Sequence, residues 1–148
     1  MHIITGLTIG GAERVVLDLL FNASPCSTLV VVHHQMPLLK SYPKPNFPII
    51  GLDIIRGHLR SYLSGIKILW QTLKTQNPSI IHAHLYHGLI VGLIGKVLQP
   101  SVKLVFTLHS STTNGWFRAL ILFLSKPLRS ADLVFSAQQQ QWYNARQT

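Results

Sequence analysis

Acidic residues are nearly missing from this sequence: four Asp and Glu stand against 13 Lys and Arg, a formal net charge of +9 before any of the eight His is counted. The four acids, Glu13, Asp18, Asp53 and Asp132, are scattered, and no two are placed as the paired carboxylates of a glycosidase. There is one cysteine, Cys26. A disulfide framework within the chain is therefore excluded, which fits a reducing compartment. No run reaches the roughly 18–20 apolar residues of a spanning helix; the longest candidates are Gly88 to Gly95 and Ala119 to Leu124. The first residues do not read as a signal peptide, because no basic region precedes the apolar stretch and Glu13, Arg14 and Asp18 interrupt it. The basic residues stand singly, without the run that a nucleic-acid arm needs. With 47% hydrophobic and 11% charged residues, collagen-like, mucin-like and disordered classes are excluded.

What remains is one domain of 148 residues, long enough to bury roughly 70% of the surface its unfolded chain exposes. The apolar content exceeds what a solvated domain of this size needs, so part of its surface is expected to be covered by something else. The positive charge points to an anionic partner: a phosphate-bearing substrate or an anionic membrane surface.

Patterning predicts alternating strands and helices. An apolar run from His2 to Leu7 meets Gly10-Gly11, and then Ala12, Val15, Val16, Leu19 and Leu20 recur at helical spacing. Thr28 to His33 reads as a second strand, a proline-rich loop follows, and Ile49 to Leu52 reads as a third strand. Leu59, Tyr62, Leu63, Ile66, Leu69, Trp70 and Leu73 mark one face of a helix that Asn77-Pro78 stops. Ser79 to Ala83 and Lys103 to Leu108 are strands around a helix from His87 to Leu98 that is apolar almost all round. Trp116 to Leu128 predicts a helix with its face at Phe117, Leu120, Ile121, Leu124 and Leu128. Leu133 to Ser136 predicts a last strand, and the tail from Gln138 begins a helix. Strands that are continuous apolar runs between helices specify an α/β fold: a doubly wound, Rossmann-like parallel sheet covered on both faces.

In such a sheet ligands bind beyond the carboxyl ends of the strands, and the unusual residues collect there. Gly10-Gly11 follows the first strand, His82 and His84 the fourth, His109-Ser110 the fifth, and Ser136 the sixth. The glycine pair precedes a helix, where free amides and the helix dipole favour an anion; it is either a phosphate contact or a plain tight turn. Neither the dinucleotide nor the Walker glycine pattern is present, and Ser110 has no G-x-S-x-G around it. His82 and His84 share one face of a strand and either begin a metal site, completed by His87 or His109, or bond to backbone and line a polar cleft. No metal or cofactor is expected. His109 can donate to a substrate oxygen or shuttle a proton near neutral pH, or it is a solvated loop residue.

The run Gly6-Leu7-Thr8-Ile9-Gly10-Gly11-Ala12-Glu13-Arg14-Val15-Val16 resembles the start of the N-terminal domain of family 4 glycosyltransferases, the retaining GT-B enzymes. Ile80 to His87 is similar to that family's His-Ala-His strand end, Phe106 to Ser110 to its strand ending in His, and Ala131 to Ser136 to its Asp-containing strand. The resemblance covers nearly the whole chain in family order. It implies the N-terminal half of a GT-B architecture over residues 1–148, with its last elements missing, acting on a nucleotide-sugar donor and a lipid-linked or polysaccharide acceptor. It places Gly10 and Gly11 at the donor diphosphate, His109 at the transferring sugar, and His82, His84, His87, Ser110 and Ser136 on the acceptor side of the cleft.

The family's donor domain, with its basic residues and paired glutamates, has no counterpart in the chain. The chain is therefore expected to be inactive alone, as a fragment of a longer protein or a separate acceptor-side subunit. The expected location is cytoplasmic, peripheral on the inner face of the membrane. Two other readings compete: a non-catalytic module that binds sugar, phosphate or a partner protein, and a Rossmann-like enzyme binding nicotinamide or flavin.

Overall fold

A computed structural model describes residues 1–22, 27–33, 35–109 and 116–144. The chain runs β1 (His2–Ile4), α1 (Gly11–Phe21), β2 (Leu29–Val31), β3 (Ile49–Gly51), α2 (Leu59–Gln76), β4 (Ile80–His84), α3 (Leu85–Leu98), β5 (Lys103–Thr107), α4 (Trp116–Ser125), β6 (Ala131–Leu133) and α5 (Ala137–Asn144). The strands form one sheet in the order β3-β2-β1-β4-β5-β6, and every pairing is parallel. The α/β fold is the one the alternating pattern predicts. Parallel strands cannot be joined by tight hairpins, so each crossover supplies material to cover the sheet.

Successive strand residues point to opposite faces, and the two cores divide accordingly. Ile3, Ile81, Ala83, Leu104 and Phe106 pack with Leu69 and Leu73 of α2 and Leu89 of α3. Ile4, Leu29 and Val31 pack with Val16, Leu17 and Leu20 of α1. Helix α3 lies very close to the sheet: a Cβ on Gly88 would stand 2.8 Å from the Ile3 carbonyl oxygen. Only glycine permits that approach.

The structure corrects several expectations. The apolar stripe on α2 is split: Gly65, Leu69, Thr72 and Leu73 are buried, whereas Leu59 (72% exposed), Leu63 and Trp70 face outward. Helix α4 buries Leu122 and Ser125 instead of the predicted Phe117, Leu120, Leu124 and Leu128, which are exposed. A helix apolar on nearly every side does not reveal which side meets the sheet. The last strand is Ala131–Leu133, not Leu133 to Ser136. Its register is set by pairing with Val105, Phe106 and Thr107, which leaves Ser136 beyond its end. The proline-rich loop holds a short 3-10 turn, Pro37–Ser41, anchored by buried Leu38. Coverage of the sheet is also uneven. On the α1 side, Ile80 (45% exposed), Ala131 and Leu133 (47%) are bare among the described residues. Cys26 lies outside the described residues.

Asn77 ends α2 in the left-handed conformation, φ 39°, with its N–H donating to the Leu73 carbonyl at 2.9 Å. Asn tolerates this conformation better than residues with larger or branched side chains, and glycine tolerates it best. Asn77→Ala is expected to cost about 1 kcal/mol, a melting temperature lower by roughly 2–4 °C, while Asn77→Gly retains the turn. Thermal melts of the two variants check this. Equal melting of the alanine variant and the parent would refute it.

Candidate functional site

The strand order reverses between β1 and β4, and the chain leaves these neighbours toward opposite edges of the sheet. A crevice opens at such a switch point. Here it is a cleft of about 460 Å³ lined by Gly11, Glu13, Val15, Leu85, His109 and Phe135. That volume falls in the range of small-molecule sites.

The α1 side of the cleft begins at Gly10, the residue before the helix. The Glu13 carboxylate folds back over Gly10 where a side chain would otherwise stand, and Thr8 Oγ1 donates to Glu13 Oε1 at 3.1 Å. A carboxylate three residues into a helix answers its free amides and dipole. The glycine turn is thus partly filled by the protein's own anion. At Gly11, by contrast, an added Cβ would meet nothing within 4 Å, so that side of the turn is open.

The opposite wall is built without a loop. His84 ends β4 in extended conformation and Leu85 begins α3 at φ 62°, a left-handed angle that costs a leucine about 1–2 kcal/mol. This bend sets the first turn of α3 directly beside the cleft. Strain of this kind concentrates at ligand sites.

Beneath the cleft the histidines connect. His109 Nε2 lies 3.1 Å from His84 Nδ1, and His84 Nε2 lies 3.1 Å from His2 Nδ1. Neutral imidazole has one donor and one acceptor nitrogen, so each contact is one hydrogen bond within a chain of three rings. His82 Nε2 meets Thr107 Oγ1 at 2.6 Å, and the His82 and His84 rings lie 4.0 Å apart. His84 is fully buried. Burial, reinforced by the neighbouring His82 and His2, pushes its pKa far down. Burial lowers His2 and His82 to about 4, helped by His82 on the first and by His109 on the second. His109 is also lowered by burial, with Glu13 opposing. All four rings are therefore neutral at pH 7.

His87 stands in the first turn of α3, its ring 5.8 Å from that of His33. Burial lowers its pKa, and His33, Arg118 and Arg56 lower it further. The two guanidinium groups make the surroundings of His87 electropositive. Ser136 is exposed and accepts a hydrogen bond from the Gln139 N–H at 3.1 Å, which caps α5; the cleft wall nearby is Phe135. Ser110 lies outside the described residues. Of the predicted site residues, Gly11 and His109 line the cleft, Gly10 lies under Glu13, His84 contacts His109, His82 lies beside His84, and His87, beside His33, is not among the lining residues.

Sequence reasoning missed His2, Thr107 and the bend at Leu85. His2 reaches His82 only because β1 and β4, 80 residues apart, pair in register. Nothing local signals that. Glu13 was legible as a carboxylate that stabilises the start of its helix, and its three-residue spacing from Gly10 lets it reach back there. Thr5 Oγ1 and Tyr86 OH, beside the same strand ends, are buried without a hydrogen-bond partner among the described residues.

A doubly wound α/β domain with a histidine-floored cleft at its switch point has the arrangement of a ligand-binding domain. The chain belongs to glycosyltransferase family 4, whose model matches residues 9–140. It is a domain of a glycosyltransferase-type enzyme, and its partners are in general a sugar donor and an acceptor. A comparison with curated proteins found no match. No described helix is long and apolar enough to cross a membrane.

Proposed function

We propose that this chain is the acceptor-side part of a retaining glycosyltransferase that moves a sugar from a nucleotide diphosphate donor to a lipid-linked or polysaccharide acceptor. The observation that carries the reading is His109, held by His84 at the cleft between the open side of Gly11 and the first turn of α3. A neutral His109 donates a hydrogen bond to the transferring sugar or passes a proton to a reacting oxygen. The diphosphate approaches the glycine turn from Gly11 and displaces the Glu13 carboxylate from Gly10. His87, with Arg56 and Arg118 near it, meets an anionic acceptor. His82, His84 and Ser136 support that side without forming its wall.

Two amphipathic faces support action at an anionic membrane surface of the cytoplasm. Helix α4 exposes Trp116 (78%), Phe117, Phe123 and Leu124 with Arg118, and α2 exposes Leu59, Leu63 and Trp70 among Arg60, Lys67 and Lys74. Apolar anchors flanked by cations are what interfacial helices use. One feature favours a second reading, a partner-binding module without catalysis: Glu13 already occupies the anion position at Gly10.

Labelled nucleotide sugars and a membrane-lipid acceptor mixture, supplied to the chain alone and to the chain with a family 4 donor domain, separate the readings. Transfer is expected only with the donor domain present. Transfer by the chain alone would overturn the dependence on a second domain, and no transfer in either case would favour the binding module.

A further inference from the structure

The cleft uses His109 and, through it, His84. It gives no work to His2, yet His2, His82 and His84 each bring one ring nitrogen within 4.8 Å of the others. Their nearest pair, His2 Nδ1 and His84 Nε2, is 3.1 Å apart. Two imidazole nitrogens on one tetrahedral zinc-like ion, each at about 2.0–2.1 Å, stand roughly 3.3 Å from each other. Closing the set on such an ion shortens the separations between nitrogens by no more than about 1.5 Å.

We infer that His2, His82 and His84 form a site for a zinc-class divalent transition-metal ion, bound through Nδ1 of His2, Nε2 of His84 and a ring nitrogen of His82, with the fourth position open to water or another ligand. Three imidazoles without a thiolate or carboxylate suit zinc, copper(II), nickel or cobalt, and exclude the oxygen-seeking calcium and magnesium. Burial holds these rings in the neutral form that binds metal, and the metal gives three basic side chains in a chain of net charge +9 a reason to converge. The site also has an outer shell and an entrance. With Nε2 on the ion, His84 keeps Nδ1–H and donates it to His109 Nε2, the second bond that metal-bound histidines make. The sheet face that carries the cluster is bare at Ile80, Ala131 and Leu133, which offers an ion an approach. The third ligand is therefore His2, from the paired strand β1, where the sequence offered only His87 or His109.

The test is independent of any transferase activity. Chain stripped with EDTA is titrated with Co²⁺ alone and followed by the visible absorption of tetrahedral cobalt, and the bound ion is then displaced with Zn²⁺. One saturable equivalent per chain is expected. His82→Gln and, separately, His2→Gln should weaken binding by about 100-fold or more, since even loss of an outer-shell partner costs 10–100-fold. His87→Gln, which breaks up the His33–His87 pair outside the cluster, should leave binding unchanged. Circular dichroism identifies any variant that fails to fold, and the other ligand variant then decides. No saturable absorption, or binding lost in His87→Gln and retained in the folded ligand variants, overturns the site.

Discussion

Metal-free protein is expected to lose about 3 kcal/mol of stability between pH 7 and pH 5. His2 and His82 have pKa values near 4 in the folded chain against 6.5 when unfolded, and His84 is lowered further. In each case the folded state favours the neutral ring. Above pH 6.5 neither state binds the proton and stability is complete. Between 6.5 and 4 the unfolded chain takes up protons that the fold refuses, so stability falls as the pH falls. Below about 4, His2 and His82 protonate in the fold as well and their loss levels off. A fully buried group loses at most about 1.4 kcal/mol per pH unit, or roughly 2 kcal/mol from 6.5 to 5. His2 and His82 are half-buried, so solvent screening reduces their share and the three together give about 3 kcal/mol. That is a large part of the 5–15 kcal/mol a domain usually has. Urea unfolding at pH 7, 6 and 5 with EDTA present reads the slope directly. His82→Gln should flatten it by about one group's share, and a parent curve without slope in this window would refute the account.

The same cluster shows which features the sequence disclosed and which it concealed. Periodicity found the first five strands and the helices among the described residues because each is a local pattern, and the Asn77-Pro78 stop and the Gly10-Gly11 turn are visible within a few residues, whereas the last strand lies two to three residues earlier than its apolar run suggested. His109 and His84 stood out as polar residues at apolar strand ends, where open sheets bind ligands. His2 did not, since its importance depends on register between strands distant in the chain. The faces of α2 and α4 were misread for a different reason. Both helices carry more apolar residues than the sheet can cover, and composition cannot divide them between core and surface. The excess is real: it is the bare surface of Leu59, Leu63 and Trp70 on α2 and of Trp116, Phe117 and Leu124 on α4.

The largest effect on activity is expected at His109, on the proposed transferase reading. In enzyme completed by a donor domain, His109→Ala should lower kcat about 10²–10³-fold, the usual worth of a positioned proton-transfer or hydrogen-bonding group. Donor KM should change little, because the phosphates are met at Gly11 across the cleft. The neutral state of His109 decides the kind of help it gives: at pH 7 it is an N–H donor or a base, not a cation that offsets diphosphate charge. His109→Ala also strands Nδ1 of buried His84, an unpaired group worth about 1–3 kcal/mol of stability. Loss of rate must therefore be separated from loss of fold. His109→Gln does so, since its amide can still reach His84 but cannot exchange a proton at neutral pH. Near-parental melting with kcat still reduced by at least about tenfold would assign proton transfer to the imidazole. Full recovery of kcat in His109→Gln would reduce its role to a hydrogen bond, and full kcat in a folded His109→Ala would remove His109 from the reaction.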